Sequence, residues 1–157
     1  MKLYRTIRVT KKSIIYTVLT ALSICAIFVH SSMPASVSAE ESASVRGFLQ
    51  IILEKLGLNI LLTDHIVRKC AHFIEFFVLG IFSELTFDSY FCNVKKAILP
   101  TCFLTVLVPL IDETIQLFTL GRSGQISDIW LDYSGALCAV LILSILLFLK
   151  RRKRDKG

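Results

Sequence analysis

The sequence predicts an all-α integral membrane helical bundle, with about four transmembrane helices and one outer interfacial amphipathic helix. Three observations carry that expectation. Hydrophobic residues make up 54% of the 157-residue chain and the mean hydropathy is +0.67, too apolar for a soluble globule. Four apolar runs are each long enough for a spanning helix of roughly 17–25 residues. The ionisable residues at the ends of these runs recur at helical spacing, which aligns them on shared faces.

The first run, residues 13–29, follows a basic opening. A secretory signal peptide is the competing reading, with Val37-Ser38-Ala39 before Glu40 as its small-residue site. The apolar run exceeds the usual ~7–15-residue signal core, and that site lies well beyond its end, so a retained anchor is expected. Residues 30–44 are polar, with Pro34, many serines and Glu40-Glu41, and predict a loop. Val45, Phe48, Leu49, Ile52 and Leu56 then recur at helix spacing. Ser42 or Ser44 could cap that helix and Gly57 could stop it. Its apolar face suits either the membrane interface or the protein's own bundle.

Arg68, Lys69, His72 and Glu75 lead into a second run reaching about Phe87, and residues 88–96 form a basic loop with Lys95 and Lys96. The third run, 97–118, contains Pro100 and Pro109, which membrane helices tolerate as kinks. Residues 119–127 carry two glycines and an arginine and read as a tight turn. The fourth run, 129–149, ends in basic residues. The chain therefore divides into a basic tail (1–12), a membrane domain (13–149) and a second basic tail (150–157).

The net charge of +6 is concentrated at the two ends, as the positive-inside rule expects of cytoplasmic termini. Attraction to anionic lipid explains these tails without nucleic acid. The expected location is the plasma membrane, multi-pass, with both termini cytoplasmic. The five cysteines show no CxxC spacing and read as packing residues rather than disulfides or metal ligands.

Under this topology the polar residues converge near the outer leaflet: His72 and Glu75 at the start of the second span, Asp112, Glu113 and Gln116 near the end of the third, Asp128 and Asp132 at the start of the fourth. Ionisable groups inside membrane spans are costly and point to function. Gathered at one depth, they disfavour a transporter's path across. His72, Glu75, Asp112 and Glu113 are the candidates for acid–base chemistry. Arg68, Lys69, Gln116, Arg122, Asp128 and Asp132 are candidates for binding, with Arg122 suited to a phosphate or carboxylate. The competing reading is a buried ion-pair network that fixes helix order, with Arg122 pairing Asp128 or Asp132 and with Arg68, Lys69 and Arg122 neutralising Asp112 and Glu113. A divalent cation such as Mg²⁺ or Ca²⁺ suits the oxygen-rich set. Zinc has only His72 inside it. Neither a nucleophile elbow nor a P-loop is present.

The pattern Arg68-Lys69-x-x-His72-Phe73-x-Glu75-Phe76-x-x-Leu79-Gly80, then Asp112-Glu113-x-x-Gln116-x-Phe118-x-x-Gly121-Arg122-x-Gly124 and Asp128-x-x-x-Asp132-x-x-Gly135, resembles the VanZ-like family of bacterial membrane proteins. Ser31-Ser32-x-Pro34 fits the same pattern after the first span. The chain departs at Phe76, where the family often has tyrosine, and at Leu120, where proline is common. The resemblance implies a cell-envelope protein associated with lowered susceptibility to teicoplanin, a lipid-tailed glycopeptide. It leaves open a binding or shielding role toward a lipid-linked cell-wall precursor, a teichoic polymer or the drug itself. The alternative is a small intramembrane enzyme acting on a phosphorylated lipid. The phosphotransbutyrylase label carried by some relatives finds no coenzyme A signature here.

Overall fold

In the computed structural model, residues 9–58 and 60–154 are described. Most of the basic opening and the last three residues of the closing tail lie outside that range. Five helices follow one another: α1 (Lys11–Ser31), α2 (Ala35–Lys55), α3 (Asp64–Phe91), α4 (Val94–Leu117) and α5 (Ile126–Arg154). No strand occurs among the described residues. Helices α1, α3, α4 and α5 are long and apolar enough to cross a membrane, and the protein is an all-helical, multi-pass membrane protein.

Local chemistry sets the helix ends. Thr10 and Ser13 form a reciprocal capping box at the start of α1. Thr63 accepts from Ile66 N at the start of α3, and Asn93 accepts from Lys95 N at the start of α4. Gly57, at φ +73°, closes α2, because a side chain there would be strained.

Two expected loops are shorter than the composition suggests. Residues 30–44 were expected to be loop, yet α2 begins at Ala35 with Pro34 at its N-cap. Ser42 and Ser44 are not caps. They lie inside the helix and donate back to the Ser38 and Glu40 carbonyls, satisfying their hydroxyls without breaking it. Residues 88–96 likewise shrink to a reversal at Cys92 and Asn93, with Asp88 inside α3 and Lys95 and Lys96 inside α4. At the far end α5 continues to Arg154, so the basic residues 150–154 are helical.

Helix α3 packs against all four other helices. Its Phe76 and Leu79 are fully buried and join Ile27, Val108 and Ala136 in the core. Small residues let α5 approach. A Cβ on Gly80 would stand 2.5 Å from the Ala136 carbonyl oxygen, and one on Gly135 would stand 2.4 Å from that of Phe73. Close approach through small residues is how membrane helices gain packing where lipid removes the hydrophobic drive between them.

Helices α1 and α3 are antiparallel. Thr20 and Thr86 hydrogen-bond at 3.0 Å toward one end, while His30 Nδ1 lies 3.2 Å from Glu75 Oε1 toward the other. Helix α2 packs chiefly on α3, and Ser38 and Ser42 are buried. Phe48 and Ile51 remain exposed. The cysteines are unpaired, as expected, but Cys25, Cys70 and Cys92 are exposed and none reaches the core.

Candidate functional site

The end of the bundle formed by the C-terminal turns of α1 and α4 and the N-terminal turns of α3 and α5 collects the polar residues. Asp112, fully buried on α4, accepts from Ser31 Oγ of α1 and from Gln116 Nε2 at 2.9 Å. Glu113, one residue on, accepts from Gln116 Nε2 at 3.2 Å and from the Gln125 backbone N–H at 2.8 Å. Their partners are therefore neutral donors, not the expected Arg68, Lys69 and Arg122. Those side chains are committed or directed elsewhere.

Lys69 Nζ lies 2.7 Å from Asp128 Oδ1, linking α3 to α5. Arg122 was expected to pair with Asp128 or Asp132. It instead donates from Nε to the Met33 carbonyl at 2.9 Å and from Nη2 to the His30 carbonyl at 3.0 Å. Both carbonyls lie where α1 ends and Pro34 brings no N–H, so the guanidinium fork caps them, with the His30 carbonyl also accepting from Met33 N–H at 3.2 Å. Burial pushes the Arg122 guanidinium below its usual range, and the Asp112 charge opposes that shift. The turn is held further by Thr119 Oγ1 donating to the Ser31 carbonyl at 3.0 Å and by Ala35 N–H donating to the Leu120 carbonyl at 3.1 Å. Gly121 adopts φ +74°, and a Cβ on Gly124 would come within 2.5 Å of the Glu113 carbonyl oxygen. Both glycines of the turn have a steric reason.

His72 lies behind this turn. Its Nδ1 is 3.7 Å from Asp132 Oδ1, and its ring stacks on His30 with centroids 5.8 Å apart. Asp132 is fully buried, and neither carboxylate oxygen meets a hydrogen-bond donor. Arg68 Nε is also buried without an acceptor. A cavity of about 130 Å³ is lined by Arg68, Lys69, His72, Gln116, Arg122, Asp128 and Asp132, among others. All six candidate binding residues line it, and of the four acid–base candidates His72 does. Glu75 meets His30, whose ring also stacks on His72, at a neighbouring groove lined by α2, α3 and His30. Arg68 faces both.

A family model for VanZ/LLP1 matches residues 13–148. The chain belongs to the VanZ/LLP1 family. No curated protein and no solved structure matches it.

In this VanZ/LLP1 protein the matched span runs from the first transmembrane helix to nearly the end of the last. It also contains polar residues that the sequence reading passed over. His30 had a readable signal, being a lone titratable group closing an apolar run. A second polar layer lies toward the opposite end of the bundle, so the polar groups occupy two depths and not one. There Glu84, fully buried, accepts from Ser144 Oγ at 2.9 Å. Arg151 Nη2 donates to both oxygens of Asp88, at 2.7 and 2.6 Å. On α3 the fully buried Phe76 and Leu79 separate the two layers. Glu84 and Asp88 were legible as acidic residues within or beside an apolar run; Arg151 was hidden among other basic residues.

Proposed function

We propose that the polar end of the bundle faces outward, and that its cavity binds the phosphate-bearing head of a lipid-linked envelope component, a cell-wall precursor or a teichoic polymer. The observation that carries this reading is the joining of a polar cavity, lined by three basic side chains together with Asp128 and Asp132, to an apolar groove. Arg68, Lys69 and Arg122 line the cavity. Lys69 and His65 also line an adjoining groove of about 390 Å³ whose other walls are Ile66, Cys70, Phe73, Ile74 and Leu131. A head group bearing negative charge suits the first, since guanidinium pairs with phosphate in a planar fork. A hydrocarbon chain suits the second. Orientation follows from charge: Lys11, Lys12, Lys95, Lys96 and Lys150–Arg154 gather at the opposite end, as cytoplasmic ends require. Covering such a component contributes to lowered susceptibility to lipid-tailed glycopeptides, which act at that surface.

The test is mass spectrometry of lipids retained by gently purified protein, with drug tolerance measured in a susceptible Gram-positive host. Wild-type protein retains a phosphorylated polyprenyl or glycerol lipid, and Arg68→Ala releases it while remaining in the membrane. The host gains tolerance of teicoplanin more than of vancomycin. Retention of neutral lipid only, or equal retention by Arg68→Ala, overturns the reading.

A second reading, a small intramembrane enzyme on a phosphorylated lipid, draws support from one contact. His72 beside Asp132 puts an imidazole and a carboxylate at the cavity wall, the pair that proton transfer uses. Turnover of a retained lipid by wild type but not by His72→Ala would favour it.

A further inference from the structure

We propose that His72, Asp112 and Asp132 bind a single divalent first-row transition-metal cation, Zn²⁺ or Mn²⁺, beside the polar cavity. The three come from three different helices, α3, α4 and α5. Each offers one ligand atom, and these atoms all lie within 4.8 Å of one another. Atoms bound to a common ion at roughly 2.0–2.2 Å stand about 3–4 Å apart. Small side-chain adjustments therefore close the set, and His72 Nδ1 and Asp132 Oδ1 are already 3.7 Å apart.

A cluster of acids alone would say little, since acids also gather in hydrogen-bonded networks. Asp132 is the observation that separates the two. It is fully buried, it turns a carboxylate oxygen into the cluster, and no hydrogen-bond donor reaches either of its oxygens. An ionised carboxylate in that position needs a positive charge, and a protonated one needs an acceptor for its proton. No surrounding side chain makes that contact: His72 Nδ1 stands 3.7 Å from Oδ1, and Arg68 lines the same cavity without a hydrogen bond to either oxygen. Lys69 is engaged by Asp128, and Arg122 is engaged by two backbone carbonyls. A cation held between Asp132, Asp112 and His72 would give the Asp132 carboxylate the positive partner it lacks.

Asp112 is prepared for such a role. Ser31 donates to its Oδ1 and Gln116 to its Oδ2, which fixes the plane of the carboxylate, as partners behind a metal ligand do. The imidazole decides the class of ion. Mg²⁺ and Ca²⁺ favour all-oxygen surroundings, whereas an imidazole beside carboxylates suits Zn²⁺, and the two carboxylates admit Mn²⁺ as the harder alternative. With three protein ligands, the remaining coordination faces the cavity lined by Arg68, Lys69 and Arg122. A water or a phosphate oxygen fits there. The inference stands on the trio and not on the lipid reading, because an ion can bind without any lipid.

The experiment uses tag-free, full-length protein in detergent, stripped with chelator and then titrated separately with ZnCl₂ by calorimetry and MnCl₂ by electron paramagnetic resonance. Wild type takes up a single ion per chain, and its melting temperature rises with added metal, since a ligand bound only by the folded state stabilises it. Asp132→Asn and His72→Gln lose uptake and the thermal shift, with unchanged helical content by circular dichroism. Ser31→Ala keeps the single site but binds roughly 10–100-fold more weakly. Gly47→Ala, in the middle of α2 and away from the trio, binds as wild type. Should the ligand variants fail to fold, the wild-type titration still decides. Dissociation constants above about 100 μM for both ions in wild type, or equal uptake by a folded Asp132→Asn, overturn the inference. Lipid retained by metal-free wild type overturns this inference only if titration also finds no ion. An ion bound to protein that retains no phosphorylated lipid overturns the lipid reading instead.

Discussion

Ser31, on the last turn of α1, donates a hydrogen bond to Asp112 on α4, and both side chains are buried. This contact docks the first helix onto the polar end of the bundle and gives a buried carboxylate one of its two side-chain donors. Hydrogen bonds to charged groups contribute about 1.5–3 kcal/mol. Ser31→Ala is therefore expected to lower stability by about that amount. The neighbouring Ser32→Ala should be close to neutral, because Ser32 Oγ only bonds back to the Phe28 carbonyl and is exposed. Thermal melts of both variants in one detergent make the comparison; equal effects would refute the assignment.

The glycines separate packing from conformation. Gly135 meets the Phe73 backbone, whereas a Cβ on Gly47 would meet nothing within 4 Å. Gly135→Leu is expected to force α3 and α5 apart and to abolish monodisperse protein, because backbone cannot yield as a side chain can. Gly47→Ala, in the middle of α2, should stabilise by about 0.5–1 kcal/mol through helix propensity. Size-exclusion profiles with melting curves read both outcomes.

At the opposite end, Arg151 and Asp88 form a forked ion pair between α5 and α3. Arg151 is 29% exposed and Asp88 10%, so water screens the pair only partly. Arg151→Ala is expected to cost about 1–3 kcal/mol. The double reversal Asp88→Arg with Arg151→Asp should recover part of that loss. A double variant no more stable than the single ones would show that the pair carries no coupling.

Orientation is tested at Ser123, which is exposed on the turn between α4 and α5. In a variant whose only cysteine replaces it, a membrane-impermeant thiol reagent is expected to label intact cells. Labelling confined to opened cells would invert the topology and place the cavity inside.

Much of this was legible in the sequence, for identifiable physical reasons. The four spans were readable because lipid demands unbroken apolar length, and the grouping of His72, Asp112 and Asp132 followed from placing charges at the ends of those spans. The loops were misjudged where polar composition stood in for backbone conformation. Ser38, Ser42 and Ser44 read as loop residues, yet Ser38 and Ser42 are buried in α2, and Ser42 and Ser44 bond to their own helix. The pairing of charges was also beyond reach. Counting charges predicts that Arg122 seeks a carboxylate, but the helix end at His30–Met33 presents carbonyls nearer to hand. Which donor meets which acceptor depends on the rotation of each helix, and spacing along the chain does not determine that.

Glu113 shows the consequence of that limit most directly. Charge arithmetic makes it a candidate acid or base, but both of its oxygens accept hydrogen bonds, one from Gln116 and one from the Gln125 backbone N–H. It straps the 118–125 turn onto α4, and Gly124 packs against its own carbonyl. Glu113→Gln replaces one acceptor oxygen with an NH₂ group. That group must then face a donor, either the Gln125 N–H or the Gln116 amide, and no rotation of the new side chain relieves both. The expected cost is about 1–3 kcal/mol, and it should appear as faster amide hydrogen exchange across residues 118–125. Glu113→Ala should loosen the turn at least as much. Protection of that turn unchanged in Glu113→Gln would mean that the carboxylate is free of structural duty and available for chemistry, reversing its place in the site.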